Sequence, residues 1–127
     1  HPNGALGLVG ATCVVAEPEP VARALADLSG DAALTRTDAI VAVRFARTTL
    51  LLASASDVEL LHPDLTCDLE EPVPAPRVVA LAIEVADTAR TAEVLRAAGQ
   101  PVQPRADGSL GTAAPALGLA LEFRTRP

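Results

Sequence analysis

Apolar positions along the chain follow two periods. Residues 8–15 and 78–85 are alternating or near-continuous apolar runs, rich in β-branched side chains and bounded by turn residues, and they read as strands. An acid follows each run, Glu17 in one case and Asp87 in the other, and apolar residues at helical spacing come next. Val21, Ala24, Leu25 and Leu28 make one stripe; Thr91, Val94, Leu95 and Ala98 make the second. An acid at a helix start satisfies free amide groups and suits the helix dipole. Gly30 and Gly99 stand where each helix should stop in a left-handed turn. Beyond the first helix, residues 39–45 and 48–53 read as a hairpin across Ala46-Arg47, with a weaker strand at 33–35 before it. Beyond the second, residues 101–103, 109–111 and 117–124 give three more strands, the first two joined through an Asp107-Gly108 turn.

The same order of elements therefore occurs twice. Val15, Ala16, Glu17 and Leu25 recur 70 positions later as Val85, Ala86, Asp87 and Leu95, and each copy reads β-α-β-β-β. Unit one spans 6–55 and unit two 77–125. The connector, 56–76, carries Glu70-Glu71 and the prolines Pro63, Pro72, Pro74 and Pro76. Its first part, 56–61, can form a helical turn; the prolines predict an extended path for the rest. The expected class is α+β.

With 127 residues the chain makes one domain, and half of its residues are hydrophobic against 20% charged, a globular balance. Phe45 and Phe123 are the only aromatics and the net charge is −6, so stacking platforms and the positive footprint of a nucleic-acid binder are both missing. Apolar runs are far shorter than the ~20 residues a membrane-spanning helix needs. Every basic residue is Arg, which reads as GC-rich coding bias. Cys13 and Cys67 lack CxxC spacing and a nearby pair of histidines, so two reduced thiols in a cytoplasmic protein are expected.

Two consecutive β-α-β-β-β units, the strand-acid-helix phrase in both copies and the closing Gly118-x-x-x-Glu122-Phe123 phrase resemble the glyoxalase, bleomycin-resistance and extradiol-dioxygenase superfamily, also called vicinal oxygen chelate proteins. The resemblance runs from about residue 6 to 124. It implies two units packed side by side as an incomplete barrel around a cleft. In active members a divalent metal is held there by one residue from each of four strands. Those positions fall here at Gly10, at Leu51 or Leu52, at Ala80 and at Glu122. Only Glu122 is a ligand type, and one carboxylate does not hold Mg²⁺, Zn²⁺ or Fe²⁺, so neither metal nor other cofactor is expected. The opening His1-Pro2-Asn3-Gly4-Ala5 resembles the start of the C-terminal module of longer glyoxalase-like proteins. The partners this implies are a second such module or a second copy in a homodimer, besides a small-molecule ligand.

Strand alternation then sorts the side chains. Facing the cleft are Gly10, Thr12 and Val14; Ile40, Ala42 and Arg44; Ala80, Ala82 and Glu84; and Ala120, Glu122 and Arg124. The candidate site is thus small and apolar, with Arg44, Glu84, Glu122, Arg124 and Thr12 as its polar groups. Three arrangements fit them: an ion-paired interior, an anion site built on Arg44 or Arg124, or a Glu84–Glu122 acid–base pair. His1 and His62 read as solvated loop residues, and no nucleophile-elbow phrase is present. The function expected is small-molecule binding, or an accessory role, without metal. The alternative is a lyase, isomerase or dioxygenase-type enzyme whose active site is completed by another module or subunit.

Overall fold

The computed structural model of the chain describes residues 1–30, 33–65 and 68–126. Unit one comprises β1 (Ala5–Val14), α1 (Pro18–Ser29), β2 (Ala33–Thr37), β3 (Ile40–Phe45) and β4 (Thr48–Ala53). A short helix, α2 (Ala55–Leu61), opens the connector. Unit two comprises β5 (Arg77–Val85), α3 (Thr88–Ala97), β6 (Gln103–Pro104), β7 (Leu110–Ala114) and β8 (Leu119–Arg124), with a 3-10 turn at Pro115–Leu117 before the last strand.

All eight strands form one open, curled sheet in the order β2-β3-β4-β1-β5-β8-β7-β6. At its centre β1 and β5 run antiparallel, and each pairs in parallel with the last strand of its own unit, β4 or β8. Exchanging the two units leaves this pattern unchanged. Gly10 opposes Ala82 and Thr12 opposes Ala80; a shift of 70 positions turns one pair into the other, as a pseudo-two-fold axis between β1 and β5 requires. The repeat in the sequence is therefore a repeat in space.

Helices α1 and α3 cover one face of the sheet. Cys13, Val15, Val41, Val43 and Leu52 pack with Ala22 of α1, while Val85, Leu110 and Phe123 pack with Ala92 of α3. Those strand positions are the ones that alternation assigns to the helix side. The helix stripes are narrower than expected: Ala24 and Ala98 are exposed, and Leu28 is 85% exposed. On α1 the packing line is instead Val21, Ala22 and Leu25, one position round the helix. The two acids at the helix starts also differ. Asp87 Oδ1 accepts hydrogen bonds from the amides of Ala89 and Arg90 at 2.8 and 3.4 Å, whereas Glu17 makes no side-chain cap. Glu is one methylene longer than the side chains that suit this position. Both helices end as predicted, with Gly30 and Gly99 at φ of +72° and +78°.

The first part of the connector forms the helical turn expected of it, α2, and its later part packs against the sheet. Ser54 caps α2 by accepting from the Asp57 amide. Val58 of α2 then packs with Val14, Ala53 and Val79 on the face opposite α1 and α3, joined by Ile40, Leu61, Leu65, Leu69 and Val73. A register shift between Thr12 and Cys13 breaks the alternation locally, and Val79 joins this cluster. Apolar residues of the connector thus cover one end of the concave face. Burial of that surface is favourable at roughly 25 cal/mol per Å² of apolar area, which offsets the order imposed on a proline-rich segment. Cys13 is a buried free thiol, and burial pushes its pKa up; Cys67 lies outside the described residues. No described helix is long and apolar enough to cross a membrane.

Candidate functional site

Two rows of side chains cross the concave face. The first runs Arg44, Thr49, Gly10, Ala82, Glu122 and Gly111 through successive strand pairs, and the second Ala42, Leu51, Thr12, Ala80, Ala120 and Ala113. Parallel pairs Thr12–Leu51 and Ala82–Glu122 correspond under the two-fold. Leu51, and not Leu52, is therefore the counterpart of Glu122, and Leu52 packs on the helix side.

Each predicted polar residue has a definite place. Thr12 is buried beneath the connector, where its Oγ1 hydrogen-bonds His62 Nε2 at 2.7 Å. His62 is accordingly no solvated loop residue: it is 7% exposed, and its Nδ1 is buried with no hydrogen-bond partner among the described residues. Burial and the nearby Arg105 cation both lower its pKa, with Asp64 opposing. Glu122 accepts from Arg105 Nη1 at 3.1 Å, and Arg124 Nη1 stands 3.7 Å from its other oxygen. Arg124 also reaches across β5 to β1, where a Cβ on Gly10 would lie 3.4 Å from Nη2. Glu84 is held by Arg126, with contacts of 3.1 and 3.2 Å. Arg44 is exposed and forms no ion pair among the described residues.

Two of the paired arginines, Arg105 and Arg126, lie outside the predicted set. Arg105 stands in the β6–β7 turn and Arg126 beyond β8, where strand alternation gives no facing rule. Arg105 also binds Asp64 of the connector through Nη2 at 2.6 Å. Glu84 and Glu122 thus face different guanidinium groups, Arg126 and Arg105.

The uncovered end of the concave face is a wide groove of about 1260 Å³. Arg44, Arg47, Arg124 and Arg126 line it, against Glu84 and Asp107, with Leu6 and Leu8 supplying exposed apolar surface. On a chain of net charge −6 this is a locally cationic surface. The family metal positions carry glycine, leucine, alanine and a glutamate flanked by two guanidinium groups, a set that does not fit a divalent cation. Among the described residues no three His, Cys, Asp or Glu side chains cluster as metal ligands.

No protein-family model matches the chain, and no curated protein matches it in sequence. Solved structures do. Methylmalonyl-CoA epimerase from Mycobacterium tuberculosis superposes with a TM-score of 0.67 at 16% identity, over 98% of this chain and 91% of that one. A mutant of homoprotocatechuate 2,3-dioxygenase from Brevibacterium fuscum gives 0.66 at 18%, over 96% of this chain. The corresponding enzyme from Arthrobacter globiformis gives 0.65 at 19%, over 98%. The chain spans only 33% and 37% of those two dioxygenases. Repeat, strand order and these superpositions agree: the chain has a paired βαβββ fold like that of these structures.

Proposed function

We propose that this domain binds a small carboxylate or phosphate in the arginine-lined groove, with no metal at the four family positions. The observation that carries the reading is the state of Arg44: it stands at the end of a row whose middle is the small pair Gly10 and Ala82, and no described residue pairs with its charge. Opposite it, Arg124 keeps only a 3.7 Å contact to Glu122 and is 46% exposed. Two planar guanidinium groups facing a roomy, partly apolar groove suit bidentate capture of an anion.

Calorimetric titration with a panel of small carboxylates and phosphates tests this. Replacing Arg44 by Ala should weaken the best ligand about ten- to a hundredfold, through loss of a charge-assisted contact worth roughly 1.5–3 kcal/mol, and leave the melting temperature unchanged. A chelator should also leave melting unchanged, because a metal bound only to the native state would have raised it. No response to any anion in the wild type overturns the binding reading. A chelator-induced fall of several degrees overturns its metal-free part.

A second reading is favoured by the short share of the dioxygenases that the chain spans. In it the chain is one module of an enzyme whose active site is completed by another module or subunit. Metal bound across a module interface in the product of the full open reading frame would support that reading over the first.

A further inference from the structure

Asp64 lies on the concave face although no strand carries it. Its Oδ2 sits where a side chain at position 111 would be: a Cβ on Gly111 would lie 2.1 Å from that oxygen and 2.7 Å from Arg105 Nη2. Glycine at 111 therefore keeps open a space that a carboxylate fills. Asp64 reaches it from α2 and the residues that follow, 41 positions before Arg105 in the chain. A guanidinium has separate donor edges, and Arg105 uses Nη1 on Glu122 and Nη2 on Asp64. Only the first contact is made within the sheet unit itself.

We propose that Arg105 and the bare backbone at Gly111 form a carboxylate-binding subsite, which the chain keeps filled with its own Asp64. An outside carboxylate takes that place only when Asp64 is absent from it. Glu122 holds the other edge of Arg105, so the guanidinium stays aimed over Gly111 when Asp64 is removed. This subsite is separate from the Arg44 end of the groove, and either can fail without the other.

The test is chemical rescue with formate, a carboxylate small enough for the space. Thermal melts compare wild type, Asp64→Ala and the double variant Asp64→Ala with Arg105→Met, in sodium formate and in sodium chloride at equal ionic strength. Asp64→Ala should melt higher in formate, by roughly 5 °C when formate is ten times its Kd. Wild type and the double variant should shift equally and by less, since any formate taken up at the Arg44 end of the groove acts on all three alike. An equal formate response in all three, or none in Asp64→Ala, overturns the proposal. Should Asp64→Ala not fold in chloride, recovery of its circular dichroism in formate supports the proposal, and failure to recover overturns it.

Discussion

Replacing Arg105 by Ala removes the cation that two inward-facing carboxylates share. The side chains of Asp64 and Glu122 are 6% and 16% exposed, and that of Arg105 is 21% exposed, so water compensates little. Breaking a buried pair by deleting one partner costs about 3–5 kcal/mol, mostly because the remaining charge is left uncompensated. Glu122 keeps Arg124 at 3.7 Å, whereas Asp64 keeps no other ion pair among the described residues, so most of the loss belongs to Asp64. For a domain of this length the loss amounts to a fall of roughly 12–20 °C in melting temperature. Urea unfolding at pH 7.5 measures it. Arg105→Lys should lose part of the same amount, since a single ammonium cannot span both partners as a planar fork does. A deficit below about 1 kcal/mol, the scale of a solvated surface pair, would refute the reasoning.

Three further outcomes follow from local geometry. Glu17→Asp should stabilise the fold by about 0.5–1 kcal/mol, because Asp87 at the equivalent position caps α3 while Glu17 leaves α1 uncapped; an unchanged urea midpoint would show that α1 gains nothing from a cap. Gly111→Ala should destabilise by roughly 1–3 kcal/mol, since the new methyl must displace the held Asp64 carboxylate; a neutral change in denaturant titration would mean that Asp64 moves freely. His62 has a lowered pKa in the fold, so the unfolded chain binds the extra proton. Its contribution to stability is fully present above the ordinary imidazole range and is lost as pH falls through that range toward the folded value. A melting-temperature profile between pH 8 and 5 should accordingly fall more steeply for wild type than for His62→Gln, and parallel profiles would contradict this.

The pairing of the units was legible in the sequence because it rests on local signals. Strand alternation, an acid before each helix and a glycine after it are read within a dozen residues, and the resemblance located Gly10, Ala80 and Glu122, with Leu51 or Leu52 left open. The path of the connector was not, because its prolines interrupt any periodic pattern. One signal was nevertheless present: Leu61, Leu65, Leu69 and Val73 recur every four residues, too regularly apolar for a solvated linker, and all four pack on the concave face. His62 and Asp64 follow α2 inward and have no signature of their own. Arg105 and Arg126 were missed for a related reason. They lie in a turn and beyond the last strand, where side-chain direction is set by tertiary contacts and not by a period of two. Alternation does not extend as far as Val79, where a register shift breaks it.

The two units share a backbone plan but use the concave face differently, and the difference bears on where a ligand can bind. In unit one the positions equivalent to Glu122 and Gly111 are Leu51 and Ala42, so nothing polar there competes for an arginine. In unit two Glu122 could engage Arg124 fully, which would leave the groove with one less cation. Arg105 takes one oxygen of Glu122 at 3.1 Å, and Arg124 stands 3.7 Å from the other with its Nη2 beside Gly10. Charge matched beneath the connector thus leaves charge unmatched at the open end. Thr12, Ala80 and Ala120 in the second row are buried, so an anion bound as proposed would not reach them. The exposed Leu6 and Leu8 at that end give the groove apolar surface beside its arginines, which favours ligands that join an anionic group to a hydrocarbon part over bare inorganic anions.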